Sequence, residues 1–200
     1  MKAIRQDIGG LGNLLFKEAY IWAQMRDGKI ADIYVQSSIY WQDYKEEIRQ
    51  RFSSGIGYDE RVALHIRRGD YLKVSQFHVC LWDTDYYKKA IKLFPENTKF
   101  LVFCRDRQSE AQDEDDKEWC YRNIPLLLGE RKWEFHDSLY TTETDDLNAM
   151  ASCKGLIGAN SSFSWWAAFL NPHKDLKVFP KQWFCDNIQR TELLPEWTLL

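Results

Sequence analysis

No stretch of this sequence is long and apolar enough to span a bilayer. The most hydrophobic run, Phe163 to Leu170, is less than half of the ~20 residues a transmembrane helix needs. Charged residues fall within the first seven positions, so no secretory leader is expected either. An excess of positive charge is also missing. The 27 Lys and Arg stand against 30 Asp and Glu, for a net charge of −3, which excludes binding along a nucleic-acid backbone. There is no CxxC pair. The five cysteines, Cys80, Cys104, Cys120, Cys153 and Cys185, are odd in number and widely spaced. That argues against a zinc site or a disulfide frame, and for free thiols in a reducing, cytoplasmic compartment. Internal repeats, low-complexity tracts, GxGxxG and Walker loops are absent.

Aromatic residues, by contrast, are plentiful: nine Trp, ten Tyr and eleven Phe in 200 residues. Such side chains line sugar and nucleotide sites, but most of them build cores. The length suffices for one good core or for two small lobes sharing a cleft. In chain order, residues 3–8 read as a short strand. Gly9-Gly10-Leu11-Gly12-Asn13 then leads into a helix whose apolar face carries Leu15, Ala19, Trp22 and Ala23, stopped by Asp27-Gly28. A short strand is expected at 33–35 and a helix at about 40–52, with Trp41, Tyr44, Ile48 and Phe52 inward. Ser53-Ser54-Gly55-Ile56-Gly57 is the best linker candidate. From residue 61 onward strands and helices alternate. Strands are expected at 61–66, 99–104, 155–159 and 176–179, with a further one at 123–128; helices are expected at 83–94, 145–153 and 162–170. This alternation predicts an α/β protein with a mostly parallel sheet covered by helices.

Two stretches carry candidate chemistry. In the first, the apolar run Val62-Ala63-Leu64-His65-Ile66 ends abruptly in Arg67-Arg68-Gly69-Asp70-Tyr71. This reads as a buried strand whose carboxyl end bears two guanidiniums, suited to a dianionic group such as a diphosphate; it equally reads as a surface Arg-Asp turn. In the second, the small-residue strand Gly155-Leu156-Ile157-Gly158-Ala159 runs into Asn160-Ser161-Ser162-Phe163-Ser164 and a helix. Free backbone N–H groups, the helix dipole and serine hydroxyls make an anion site there, or a serine cap with nothing bound. Gly10, Gly12 and Asn13 form a further glycine-rich turn into a helix, either a phosphate or sugar contact or a plain tight turn. Two DxD-like triplets occur. Asp83-Thr84-Asp85 sits where a helix cap is expected. Asp113-Glu114-Asp115 lies in a charge-rich stretch, Arg105 to Glu118, that reads as a solvated loop or helix face.

Taken together, His65-Ile66-Arg67-Arg68-Gly69-Asp70-Tyr71 and Asn160-Ser161-Ser162-Phe163-Ser164-Trp165-Trp166 resemble the glycosyltransferase family 11 fucosyltransferases, the α-1,2-fucosyltransferase group. Gly9 to Asn13, His78, Tyr86-Tyr87, Asp146-Leu147, Pro180, Trp183, Pro195 and Trp197 agree in order. The resemblance implies a GT-B-like fold, with a reduced acceptor-side lobe over 1–57 and a nucleotide-sugar lobe over 58–200. It also implies a GDP-fucose donor, a galactoside-type glycan acceptor, inversion at the anomeric carbon and no metal or other cofactor. On that footing Arg67, Arg68, Ser161, Ser162 and Ser164 hold the diphosphate, flanked by Asn160 and Phe163. His65 and Asp106 lie near the nucleoside. Asp70 and His78 are the candidates for the base, and Asp70 is also placed to brace the arginines. Peripheral association with a membrane is compatible with this reading. Three features depart from the family pattern: about 52 residues separate Gly12 from His65, Leu14 replaces a glutamine, and Cys104-Arg105 precede Asp106 where a serine and an acidic residue are usual. They leave open a transferase using another nucleotide sugar, or a binding module without turnover.

Overall fold

The computed structural model describes residues 10–26, 38, 41–104, 110–137, 142–188 and 190–200; for residues 24–26, 70 and 110–113 it describes the backbone alone. The strands expected at 3–8 and 33–35 lie outside the described residues. Helix α1 (Leu11–Arg26) and helix α2 (Lys45–Phe52), the latter entered through a 3-10 turn at Gln42–Tyr44, precede the first strand. There follow β1 (Asp59–His65), α3 (Tyr86–Lys92), β2 (Phe100–Phe103), α4 (Glu110–Leu128), β3 (Trp133–Phe135), α5 (Glu143–Ser152), β4 (Cys153–Ile157), α6 (Ser162–Leu170), β5 (Lys177–Phe179) and β6 (Thr198–Leu199). The six strands form one sheet in the order β3-β2-β1-β4-β5-β6, and every pair is parallel.

Parallel strands need crossovers that cover both faces of the sheet, and side chains alternate between those faces. Val62, Leu64, Phe100 and Val102 accordingly point to the face closed by α3 and α4, where they meet Tyr86, Tyr87, Ala90, Ile91, Ile124 and Leu128. Ala63, Leu101, Phe103 and Leu156 point to the opposite face, closed by α1, α2, α5 and α6. Much of the aromatic content packs on that second face. The Trp41 ring stacks on Trp166 at 5.7 Å and meets Phe169 edge-on at 5.2 Å, and Phe16 lies 4.5 Å from Trp165. Phe16, Trp41 and Ile48, from the chain before residue 57, therefore share one cluster with Trp165, Trp166 and Phe169 from the chain after it. Full burial of such side chains contributes about 1.5–3 kcal/mol each.

Two expectations change. The apolar run at 123–128 is not a strand but the last turns of α4. Ile124 and Leu128, four residues apart, both pack inward while Leu126 is exposed. Pro125 is accommodated inside the helix; its ring lacks the N–H a helix would use, and Gly129, in the left-handed region at φ +60°, donates its N–H to the Pro125 carbonyl to end the helix. The strands β3 and β6 were not expected, because three and two residues are too few to show a period.

The carboxyl ends of the central strands are pinned by α3. The Tyr87 hydroxyl donates to the His65 carbonyl at 2.9 Å, and the Tyr86 hydroxyl lies 2.6 Å from the Gly158 carbonyl and 3.0 Å from that of Val178. Gly158 itself sits under the Phe179 ring: a Cβ there would fall 2.3 Å from Cε1 of that ring. Gly158→Ala should accordingly destabilise the fold by about 1–3 kcal/mol through overpacking. The loss is to be read as a lower denaturant midpoint, and an unchanged midpoint would show that the β4–β5 junction tolerates a methyl group.

Candidate functional site

β1 and β4 are neighbours although some ninety residues separate them, with Leu64 opposite Ile157. From β1 the chain winds outward through β2 and β3, then returns to place β4 on the other side. Ligands of open α/β sheets gather beyond the carboxyl ends of the strands at such a reversal. Both candidate stretches leave the sheet here, His65 to Tyr71 from β1 and Ala159 to Ser164 from β4. The glycine-rich turn joins them. A Cβ on Gly12 would fall 2.5 Å from the backbone carbon of Ser162 and 2.6 Å from the Phe163 nitrogen, so the start of α1 can touch the start of α6 only because residue 12 has no side chain. Asn13 and Leu14 direct their N–H groups to the Gly10 carbonyl in the first turn of α1. Two helix amino ends thus meet beside the arginine turn, and their partial positive charges add.

The two arginines separate. Arg68 turns toward α4. Its Nε lies 2.9 Å from Oδ1 of the fully buried Asp116, its guanidinium lies 4.2 Å above the Trp119 ring, and Asp115 is 3.5 Å away. Oδ2 of Asp116 accepts the Gly69 N–H at 3.2 Å, which holds Gly69 in the left-handed region at φ +43°. Arg67 instead places its guanidinium 5.1 Å over the Tyr71 ring. The Tyr71 hydroxyl donates to the Asn160 carbonyl at 2.8 Å, a direct tie between the two stretches. Its ring also stacks at 4.2 Å on His78, which pairs with Phe184 in an antiparallel bridge and lies 5.2 Å from that ring. Of the base candidates, His78 is thus a member of an aromatic row. The Asp70 side chain and Asp106 lie outside what is described.

The serine turn divides its labour. Asn160 is buried, and its amide donates to the carbonyls of Val79 and Trp183, both at 3.0 Å, locking two loops to the end of β4. Ser161 caps α6 by accepting the Phe163 N–H at 3.3 Å. Ser164 is wholly buried, and its hydroxyl reaches the Ala159 and Ser161 carbonyls, so it closes the turn. Ser162 and Phe163 are partly exposed at the helix start. Of the DxD triplets, the first puts Asp85 at the cap position of α3, but its carboxylate makes no capping bond and pairs with Lys89, while the Thr84 hydroxyl accepts the Tyr86 N–H. The second triplet lies in α4 and is not wholly a solvated face, since Asp115 and its neighbour Asp116 both reach Arg68. Asp116 and Trp119, three residues apart on one helix, are the site residues that a reading of the sequence passed over. His136 is another: just past β3, it holds Asp146 of α5 at 3.0 Å on the same edge of the sheet.

His65 is buried with its Nδ1 unpartnered among the described residues, and its ring lies 6.0 Å from Phe163. Burial first, and then the Arg67 charge, pull its pKa from 6.5 down to about 3. The folded protein therefore keeps this imidazole neutral, whereas the unfolded chain takes up a proton below pH 6.5. Stability should be unaffected by His65 above that pH. It should decline by about 1.4 kcal/mol per pH unit between 6.5 and about 3. Denaturation midpoints across this range should fall less steeply in His65→Gln than in the unsubstituted protein; parallel slopes would mean that the ring is protonated in the fold.

Known proteins give the site its context. The model of the family described as Glycosyl transferase family 11 matches residues 25–200. An O-antigen biosynthesis glycosyltransferase of Escherichia coli, WbnK, is 32% identical over 142 residues, covering 68% of this chain and 43% of that protein. An α-1,2-colitosyltransferase of the same species is 31% identical over 167 residues, covering 74% and 54%. The human galactoside α-(1,2)-fucosyltransferase 1 is 28% identical over 111 residues, covering 54% and 28%. The chain spans about half the length of the two bacterial relatives. No solved structure matches significantly. Among the described residues no helix is long and apolar enough to cross a membrane. With an arginine turn and a serine helix start brought together at the reversal of a parallel sheet, and a family match over most of its length, the chain belongs to glycosyl transferase family 11.

Proposed function

We propose that the chain binds GDP-fucose and transfers fucose, with inversion and without a metal ion, to a galactoside-type hydroxyl. The observation that carries this reading is the contact of three motifs at the β1–β4 junction: Gly12 against Ser162, and Tyr71 against the Asn160 carbonyl. The arrangement suits a diphosphate. As the bond from the anomeric carbon to the diphosphate oxygen breaks, its electron pair passes to that oxygen and negative charge grows on GDP. A guanidinium and the N–H groups at a helix start stabilise that charge without needing a cation. In this reading Arg67, Ser161 and Ser162 face the diphosphate, while Arg68, Asn160 and Ser164 hold the turns. The neutral His65 lies toward the nucleoside, a role that the family resemblance also gives to Asp106. The acceptor oxygen attacks from the opposite side and loses its proton to a base, which we assign to Asp70. His78 supports Tyr71. The region before residue 58 is the acceptor side.

A second reading, a different nucleotide sugar in the same pocket, is favoured by the similarity to a colitosyltransferase. A third reading is a module that binds the nucleotide sugar but does not transfer it. Calorimetry with GDP in the presence and absence of EDTA tests the donor site. Affinity should be the same in both, and dependence on a divalent cation would refute the arginine mechanism. Arg67→Ala should weaken GDP binding by about 10- to 100-fold, because charge-assisted hydrogen bonds contribute about 1.5–3 kcal/mol. Turnover of GDP-fucose with a panel of galactosides separates the readings: GDP binding with no transfer to any of them would favour the module.

A further inference from the structure

The pair Arg67-Arg68 looks symmetrical in the sequence and is not so in the fold. Asp116 has no exposed surface, and a buried carboxylate is retained only when it is paired and hydrogen-bonded. It meets that condition with two neighbours in the arginine turn: Nε of Arg68 at 2.9 Å and the N–H of Gly69 at 3.2 Å. Trp119, one turn further along α4, lies 4.2 Å under the same guanidinium. Arg68 is thereby gripped along both its edge and its face. The Gly69 bond fixes the backbone at the point where the chain takes its left-handed step, immediately after the two arginines. Removing Arg68 from this bracket to contact a ligand would take away the countercharge of the buried Asp116, which is unfavourable. Arg67 has a different support, the Tyr71 ring, on the side that leads to Asn160 and the serine turn.

We infer that Asp116 is a positioning residue: it commits Arg68 to the protein and sets the Gly69 turn, so that Arg67 is the arginine presented to the diphosphate of the donor. This rests on the proposed donor site. It assigns to α4, which contributes no expected donor contact, the task of aiming one that β1 carries.

The test compares the affinities for GDP and for guanosine, measured by calorimetry on the full chain, with thermal midpoints recorded alongside. The ratio of the two affinities reads contacts to the diphosphate, because losses common to both ligands cancel. Arg67→Met should lower the GDP preference by about tenfold or more with little change in thermal midpoint. The double variant Arg68→Met with Asp116→Asn removes both charges together and keeps an acceptor for Gly69. It should fold and keep the preference within about threefold of the unsubstituted protein; a larger loss would show Arg68 touching the diphosphate and overturn the inference. Asp116→Ala also takes away the Gly69 acceptor and should lower the GDP preference at least threefold while guanosine affinity holds. An unchanged preference in that variant would reduce Asp116 to a purely structural role. If Asp116→Ala does not fold, the double variant decides. Should the unsubstituted protein bind GDP no better than guanosine, it is the proposed donor site that fails, and the inference falls with it.

Discussion

The site depends on β1 and β4 lying side by side. A parallel sheet that grows outward from one strand and then restarts on the other side of it leaves a single place where two loops diverge at the carboxyl edge. Here those loops carry the arginine turn and the serine turn. Everything else at this edge secures that divergence: Tyr87 on the end of β1, Tyr86 on the ends of β4 and β5, and the Asn160 amide on the loops at Val79 and Trp183. These bonds satisfy strand-end carbonyls that would otherwise face an apolar layer, so one set of contacts both stabilises the sheet and stiffens the site.

Charge in this region is distributed with little redundancy. The fully buried carboxylate of Asp116 compensates the arginine that turns away from the serine stretch. The imidazole of His65 is kept neutral by burial and by the Arg67 charge. The result is an edge with two helix starts and a guanidinium on one side, and an ion pair sealed behind it on the other.

Much of the fold was legible because long buried elements announce their period. The strands β1, β2, β4 and β5 and the helices α1, α5 and α6 all appear within a few residues of where alternation and spacing put them. The failures were local and have physical causes. The run 123–128 is apolar enough for a strand, yet it continues a helix whose earlier turns are charged, so neither half looks amphipathic by itself. The same mixture hid Asp116: in a stretch with this many acidic residues nothing marks the one that is buried, because burial is decided by the arginine turn packed against it. Ser164 and Asn160 were legible as polar residues in a turn, but whether a hydroxyl or amide faces a ligand or its own backbone is a matter of a single rotamer.

The sequence by itself determined an α/β chain with a parallel sheet, two distinctive motifs and a family, since these follow from periodicity and from residue types that recur in order. Only the tertiary structure decided how the motifs divide the work. A linear pattern treats Arg67 and Arg68 as equals and treats Gly12 as one more turn glycine. In three dimensions neighbouring side chains at the end of a strand point in different directions, so one arginine meets a buried carboxylate on α4 and the other meets Tyr71. Gly12 becomes the point where two helix starts touch, because the space left there by α6 has no room for a side chain.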